Sequence, residues 1–189
     1  LVHTDSVPLG GKNITTDLAH GLETSLSHAE RLKVLYGAAL SSSVDSKETV
    51  MVATMGEEDQ RVMHPVPREA LVDIIQPRVE EIFQLVHGVL RDSGYEEMLS
   101  SGIVLTGGSC IMPGMVELGE DIFLKPVRRG IPKYSSALAD MVAQPRAATV
   151  MGLLEEARMA RLRGFKVAQK NGSMKTAAGQ LKDWFAGIF

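Results

Sequence analysis

A chain of 189 residues that is 44% hydrophobic but only 5% aromatic can bury one substantial aliphatic core or two small ones. Its single cysteine excludes a disulfide framework and a cysteine zinc site, and its five histidines (His3, His20, His28, His64, His87) fall at no metal-ligand spacing. The net charge of −3 conceals an asymmetry: from Arg158 onward seven basic residues meet one acidic residue (+6), leaving 13 basic against 22 acidic on the remainder (−9). A basic end on an acidic body points to an anionic surface, and basic residues without interleaved aromatics argue against nucleic acid. No run approaches the ~20 apolar residues of a membrane-spanning helix. The opening LVHTDSV has neither the basic end nor the apolar block of a signal peptide, and without an initiator Met it reads as the inside of a longer protein.

In chain order, residues 1–7 read as a strand closed by Pro8 and a Gly10-Gly11 turn. Residues 13–22 follow as a short helix, with Ile14, Leu18 and Leu22 on one face. A second helix is expected over residues 28–39, where Ser27 and Glu30 match a capping box and Ala29, Leu32, Leu35, Tyr36 and Ala39 form an apolar stripe. Residues 41–47 are a loop, 49–54 a strand and 56–60 a charged turn. The longest helix spans residues 67–93, striped by Leu71, Ile74, Ile75, Val79, Ile82, Phe83, Val86, Val89 and Leu90, with Pro77 expected to kink or interrupt it. Residues 103–105 then form a short buried strand. Thr106, Gly107, Gly108 and Ser109 follow, and Pro113 has the fixed φ suited to opening a helix over 115–122. Val127 sits in a short strand that Arg128-Arg129-Gly130 turns out of, and helices over 136–142 and 146–162 complete an α/β architecture.

The segment GIVLTGGSCIMPG, residues 102–114, carries the most information. Two adjacent glycines at a strand end let backbone approach a flat ligand where a Cβ would clash; the same residues also make a plain tight turn. A second ligand edge stands at Glu30, Lys33 and Gly37, spaced i, i+3, i+7 on one helix stripe. A carboxylate and an ammonium there can hydrogen-bond vicinal ribose hydroxyls, with Gly37 leaving room for a base. Alternatively, Glu30 closes the capping box and Lys33 is solvated.

Residues 164–178 are rich in Gly, Ser, Lys, Gln and Ala and read as a flexible basic linker. Residues 179–189 are different. Leu181, Trp184, Phe185, Ile188 and Phe189 fall at i, i+3, i+4, i+7 and i+8, one face of a helix. So short a helix is marginal alone in water and would fold against a surface, each large side chain contributing ~1.5–3 kcal/mol before ordering costs. The expected surface is anionic lipid; docking on the protein's own core is the alternative.

Taken together, the order strand–GG–helix, ExxKxxxG, TGGSxxxPG resembles the second half of an actin-like (ribonuclease-H-like) ATPase fold. More narrowly, LVHTDSVPLGGKNITTDLAHGL, HAERLKVLYG, IIQPRVEEI, GIVLTGGSCIMPGM, PRAATVMGLL and the amphipathic end resemble the C-terminal part of the bacterial cell-division family FtsA. The resemblance implies an α/β domain over residues 1–163, made of a nucleotide-facing and an FtsZ-binding subdomain, then the linker and a membrane-targeting helix. It implies a scaffold that binds ATP, polymerises into filaments and tethers the FtsZ ring at the division septum. Its place is the cytoplasmic face of the inner membrane, as a peripheral protein among other divisome proteins. By matching positions, Gly11 lies near the phosphates, Glu30, Lys33 and Gly37 at the ribose and base, and Gly107, Gly108 and Ser109 around the adenosine. Arg78 would be the cationic contact for the FtsZ C-terminal peptide, with Glu81 nearby, or else a solvated helix charge. Magnesium and the phosphate loops belong to the half of the fold that precedes this chain. Arg146 departs from the chaperone relatives, which carry an acidic residue there. Other readings of the same superfold are a soluble ATPase, sugar kinase or chaperone, or an MreB or pilus-assembly relative. A kinase needs a positioned base, and none can be assigned here.

Overall fold

The structure, a computed structural model, describes residues 1–55, 61–133 and 142–164. Helix α1 spans Gly11–Gly21, with Gly10 as its N-cap and the Asn13 side chain accepting from Gly10 N–H at 3.0 Å. Helix α2 spans Leu26–Tyr36 and starts earlier than expected. Ser25 is the cap, its Oγ accepting from His28 N–H at 3.3 Å, because Ser25 alone reaches the free amides of the first turn. Glu30 is therefore not part of a capping box. The helix also stops sooner than residue 39, since Gly37 turns the backbone to an extended conformation (φ −62°, ψ 144°). Ala29 and Leu32 are the buried stripe, Tyr36 packs against the core half-buried, and Ala39 is buried beyond the helix end, while Leu35 is 62% exposed.

Strand β1 (Thr49–Met55) pairs antiparallel with β2 (Arg61–Pro67), Thr49 opposite Pro67 and Met55 opposite Arg61. Sequence pattern alone misses β2, because Pro65 and Pro67 look like strand breakers. An edge strand accepts them wherever no ladder N–H is needed. Helix α3 (Arg68–Asp92) continues directly from β2 and runs without interruption through Pro77. Pro77 and Asp73 lie on the exposed face, so the carbonyl that the proline leaves unpaired is not shut into the core. Leu71, Val72, Ile75, Val79 and Phe83 point the other way, into the core.

Strand β3 (Ile103–Leu105) pairs in parallel with β4 (Val127–Arg129), Ile103 opposite Val127, and α4 (Met115–Phe123) forms the crossover. Gly102 (φ +82°) begins the unit; a Cβ there would stand 2.2 Å from Pro126 O, so only glycine fits. β3 is less buried than its apolar run implies: Val104 is 48% exposed, because a two-stranded sheet covers one face only. Pro113 does not open α4. Gly114, left-handed at φ +80°, is the N-cap.

The core forms where α1, α2, α3, α4 and β1 converge on Leu18, Leu32, Val52, Leu71, Ile75 and Leu118. The Phe83 and Phe123 rings close it, their centroids 5.3 Å apart. Residues 1–7 form no strand; Leu1 and Val2 are exposed and no strand among the described residues pairs with them. β structure exists only where a neighbour satisfies its N–H and C=O groups, whatever the local propensity. The chain divides after Met151 into two compact units. Helix α5 (Ala148–Leu162) follows a 3-10 turn at Pro145–Ala147 and exposes Val150, Leu153 and Leu154. The charged turn at 56–60, the linker beyond Gly164 and the terminal amphipathic segment lie outside the described residues, as does nearly all of the helix expected at 136–142.

Candidate functional site

Lys33 joins the N-terminal turn of α1 to α2. Its side chain is 10% exposed, and Nζ donates to Gly11 O (2.9 Å), Thr15 Oγ1 (2.8 Å) and Glu30 Oε2 (2.7 Å). Thr15, one of two buried polar residues in the described chain, also bonds Glu30 Oε2 through its hydroxyl. The Lys33 ammonium, then the Thr15 hydroxyl, holds the Glu30 carboxyl below its ordinary pKa, so the group is ionised at neutral pH. Both bonds go to Oε2; among the described residues Oε1 has no partner, and the side chain is half exposed. An ionised, pre-oriented carboxylate oxygen at a cleft edge accepts from ligand hydroxyls without reorganising.

Across from it stands the turn after β3. Gly107 (φ +95°) shapes that turn, its N–H donating to Pro145 O at 3.1 Å, and Thr106 Oγ1 donates to the same carbonyl at 3.2 Å. Gly108 and Ser109 face a cleft of about 490 Å³, whose wall they share with Glu30, Lys33, Gly37 and Arg146. That volume lies in the range of sites for small ligands. Val34, Leu35, Ile111 and Met112 add apolar surface. At Gly108 a Cβ would meet nothing within 4 Å, so this glycine widens the cleft rather than solving a packing problem. Gly37 differs: a Cβ would stand 2.4 Å from Lys33 O and 3.2 Å from Ile75 Cδ1, so helix end and core already demand glycine there. Gly11 lies behind Lys33, and a Cβ on it would meet Ser109 Oγ at 2.5 Å. The two ligand edges, 78 positions apart at Glu30 and Gly108, thus face one space.

Three residues of this site escape the sequence pattern. Thr15 gives no more signal than a polar residue inside a helix. Arg68 is fixed by Tyr36 O (2.8 Å) and Glu48 Oε2 (2.6 Å) and lines the cleft from the start of α3. Arg146 stands out in the sequence as a departure but gains a place only when the 145–147 turn docks on Gly107. Cys110 is buried beneath the glycine turn, and burial pushes its thiol up. Among the described residues no group of three or more His, Cys, Asp or Glu side chains is placed to hold a metal ion, so no magnesium ligand set is assigned to them.

Arg78 is not a free helix charge. Its Nε and second terminal nitrogen fork onto Asp17 of α1 (2.5 and 3.1 Å), and its other terminal nitrogen bonds Glu81. Asp17, then Glu81, raises its pKa further. Ile74 and Pro77 flank a shallow hollow of about 320 Å³ beside this cluster. Leu181, Trp184, Phe185, Ile188 and Phe189 fall outside the described residues.

The family model of cell division protein FtsA matches residues 1–152. The chain belongs to the FtsA family of cell division proteins. It is 36% identical over 193 residues to the FtsA of Pseudomonas aeruginosa, covering 99% of this chain and 46% of that protein. It is 39% identical over 194 residues to FtsA of Neisseria meningitidis, with the same coverage, and 32% identical over 198 residues to FtsA of Escherichia coli K12, with 100% and 46% covered. The chain therefore spans about half the length of these FtsA relatives. Among solved structures it resembles MreB 5 of Spiroplasma citri bound to AMPPNP (TM-score 0.64, 13% identity, 85% of this chain and 47% of that one). The ADP-bound form of the same protein gives a TM-score of 0.60 over 84% and 48% of the two chains. The fold of this FtsA-family chain is thus actin-like, and within the described residues no helix is long and apolar enough to cross a membrane.

Proposed function

We propose that this chain supplies the adenosine-holding wall of an ATP site in an actin-like cell-division scaffold. One observation carries the reading: Glu30 and Lys33 of α2 and Gly108 and Ser109 of the turn after β3 line a single cleft of about 490 Å³. Glu30 Oε1 accepts from the ribose hydroxyls, Lys33 holds the carboxylate in place, and Gly108 leaves room for a flat base against Val34 and Ile111. Bound ATP supplies a hydrolysable phosphate chain to the polymer; the residues here orient the nucleoside. The nucleotide named for the MreB 5 structures supports the choice of ligand class.

The scaffold polymerises and tethers the FtsZ ring to the cytoplasmic face of the membrane at the septum. The α3 surface around Arg78 receives the FtsZ C-terminal peptide, and the stripe of Leu181, Trp184, Phe185, Ile188 and Phe189 enters anionic lipid. Individually weak anchors hold firmly when many share one filament.

The test of the cleft is titration of a fluorescent ATP analogue into the complete protein. Glu30→Ala removes a charged acceptor worth roughly 1.5–3 kcal/mol, so affinity should fall by about ten-fold or more. Equal affinity in the parent and the variant refutes the assignment.

A further inference from the structure

The β1–β2 hairpin leaves the outer edge of β1 open beside α2. Arg68 N–H donates to Glu48 O across the start of the pair (2.8 Å), so even-numbered residues of β1 face β2 in the ladder. Odd-numbered residues point away from it. Ala53 N–H donates to His28 Nε2 (3.2 Å), and Ala53 O accepts from Thr24 Oγ1. The same alternation sets Pro65 opposite Met51 and Pro67 opposite Thr49, which removes two donors from the outer edge of β2 and leaves that of Met63. It leaves the N–H and C=O groups of Thr49 and Met51 on the outer edge of β1, with no hydrogen-bond partner among the described residues.

That edge borders a groove of about 310 Å³ against α2, walled by Leu32, Leu35, Tyr36, Met51 and Met63 with Arg31 at its rim. No aspartate or glutamate lines it, although acidic residues outnumber basic ones in this chain. Arg31 has no ion-pair partner among the described residues.

We infer that the β1 edge and α2 form a docking groove for an extended acidic peptide, carried by a protein partner and added as a strand beside β1. Its backbone pairs with Thr49 and Met51, alternate apolar side chains enter the groove, and a carboxylate meets Arg31. This site is separate from the Arg78 cluster and shares only Leu35 with the wall of the Glu30–Gly108 cleft.

A random octapeptide phage library selected on the immobilised complete protein tests it, with enriched peptides synthesised and titrated by fluorescence anisotropy. The expected winners are acidic with apolar residues at alternate positions. Their affinity should fall at least ten-fold with Arg31→Glu, with Met51→Pro, and on N-methylation of alternate peptide amides. Circular dichroism checks that the variants fold; should Met51→Pro disrupt the hairpin, Arg31→Glu and the N-methylated peptides decide alone. Enrichment of no such peptide, or of peptides indifferent to Arg31→Glu and to N-methylation, overturns the inference. A dimer that Arg31→Glu abolishes, with no peptide enriched, assigns the groove to a second copy and overturns it equally.

Discussion

Replacing Lys33 by methionine keeps the aliphatic stem and removes the ammonium that ties α1 to α2. Three hydrogen bonds disappear at once, to Gly11 O, Thr15 Oγ1 and Glu30 Oε2. A bond from a charged donor contributes about 1.5–3 kcal/mol, but the three losses do not add. Glu30 is half exposed and regains water, and Thr15 keeps Glu30 as its partner. Gly11 O still has the Thr15 hydroxyl within reach at 3.1 Å, so what is lost is the charge-assisted part of the tie, about one such bond, which puts the net cost near ~2 kcal/mol. A local opening equilibrium shifted by that amount changes about 30-fold. Hydrogen exchange of the complete protein, read by mass spectrometry on peptides covering α1, should therefore accelerate by that factor near residues 11–15, while the middle of α3 is unchanged. Equal exchange in α1 before and after the substitution would show that Lys33 is a bystander. Uniform acceleration in α1 and α3 alike would replace a local tie with a global one.

The same network has a pH signature. Because Lys33 and Thr15 depress the Glu30 pKa in the folded chain, its contribution is fully present above the ordinary carboxylate value of ~4.3 and is lost as pH falls through the depressed one. Glu30→Gln should flatten the acid-side loss of α1 protection; an unaltered pH profile refutes this. At the α3 surface, Asp17 competes for Arg78 with any peptide that uses that cation. Asp17→Asn should tighten capture of an FtsZ tail peptide several-fold and Arg78→Glu should weaken it, measured by anisotropy; the opposite order would place the peptide elsewhere. Deleting residues 179–189 should release the complete protein from anionic vesicles, and unchanged co-pelleting removes the anchor.

Much of the fold is legible where one residue pattern has one physical solution. The Leu71–Ile75–Val79 spacing of α3 buries the same face in any helical setting, and Gly102, Gly107 and Gly114 mark positive-φ backbone that other residues rarely adopt. Reading failed where a choice depends on neighbours. Ser25 and Ser27 are equivalent as caps until the helix start is fixed, and Pro65 and Pro67 break a strand or blunt its edge depending on which side needs a donor. Residues 1–7 have strand-like composition and no strand, because no strand among the described residues pairs with them. Arg78 illustrates the same limit at a functional position: its charge is visible in the sequence, its fork onto a carboxylate 61 positions away is not.

The sequence by itself determined the pieces: family, helix faces, the glycine-bearing turn and the residue types able to hold a nucleoside. These follow from local sterics and periodicity, which act over a few residues. Tertiary structure alone decided that Glu30 and Gly108 share one cleft, that Arg68 lines it while Thr15 holds Glu30 from behind, and that β1 keeps an open edge. Those outcomes depend on how a common core brings distant segments within hydrogen-bonding range, and no local preference encodes a distance between elements.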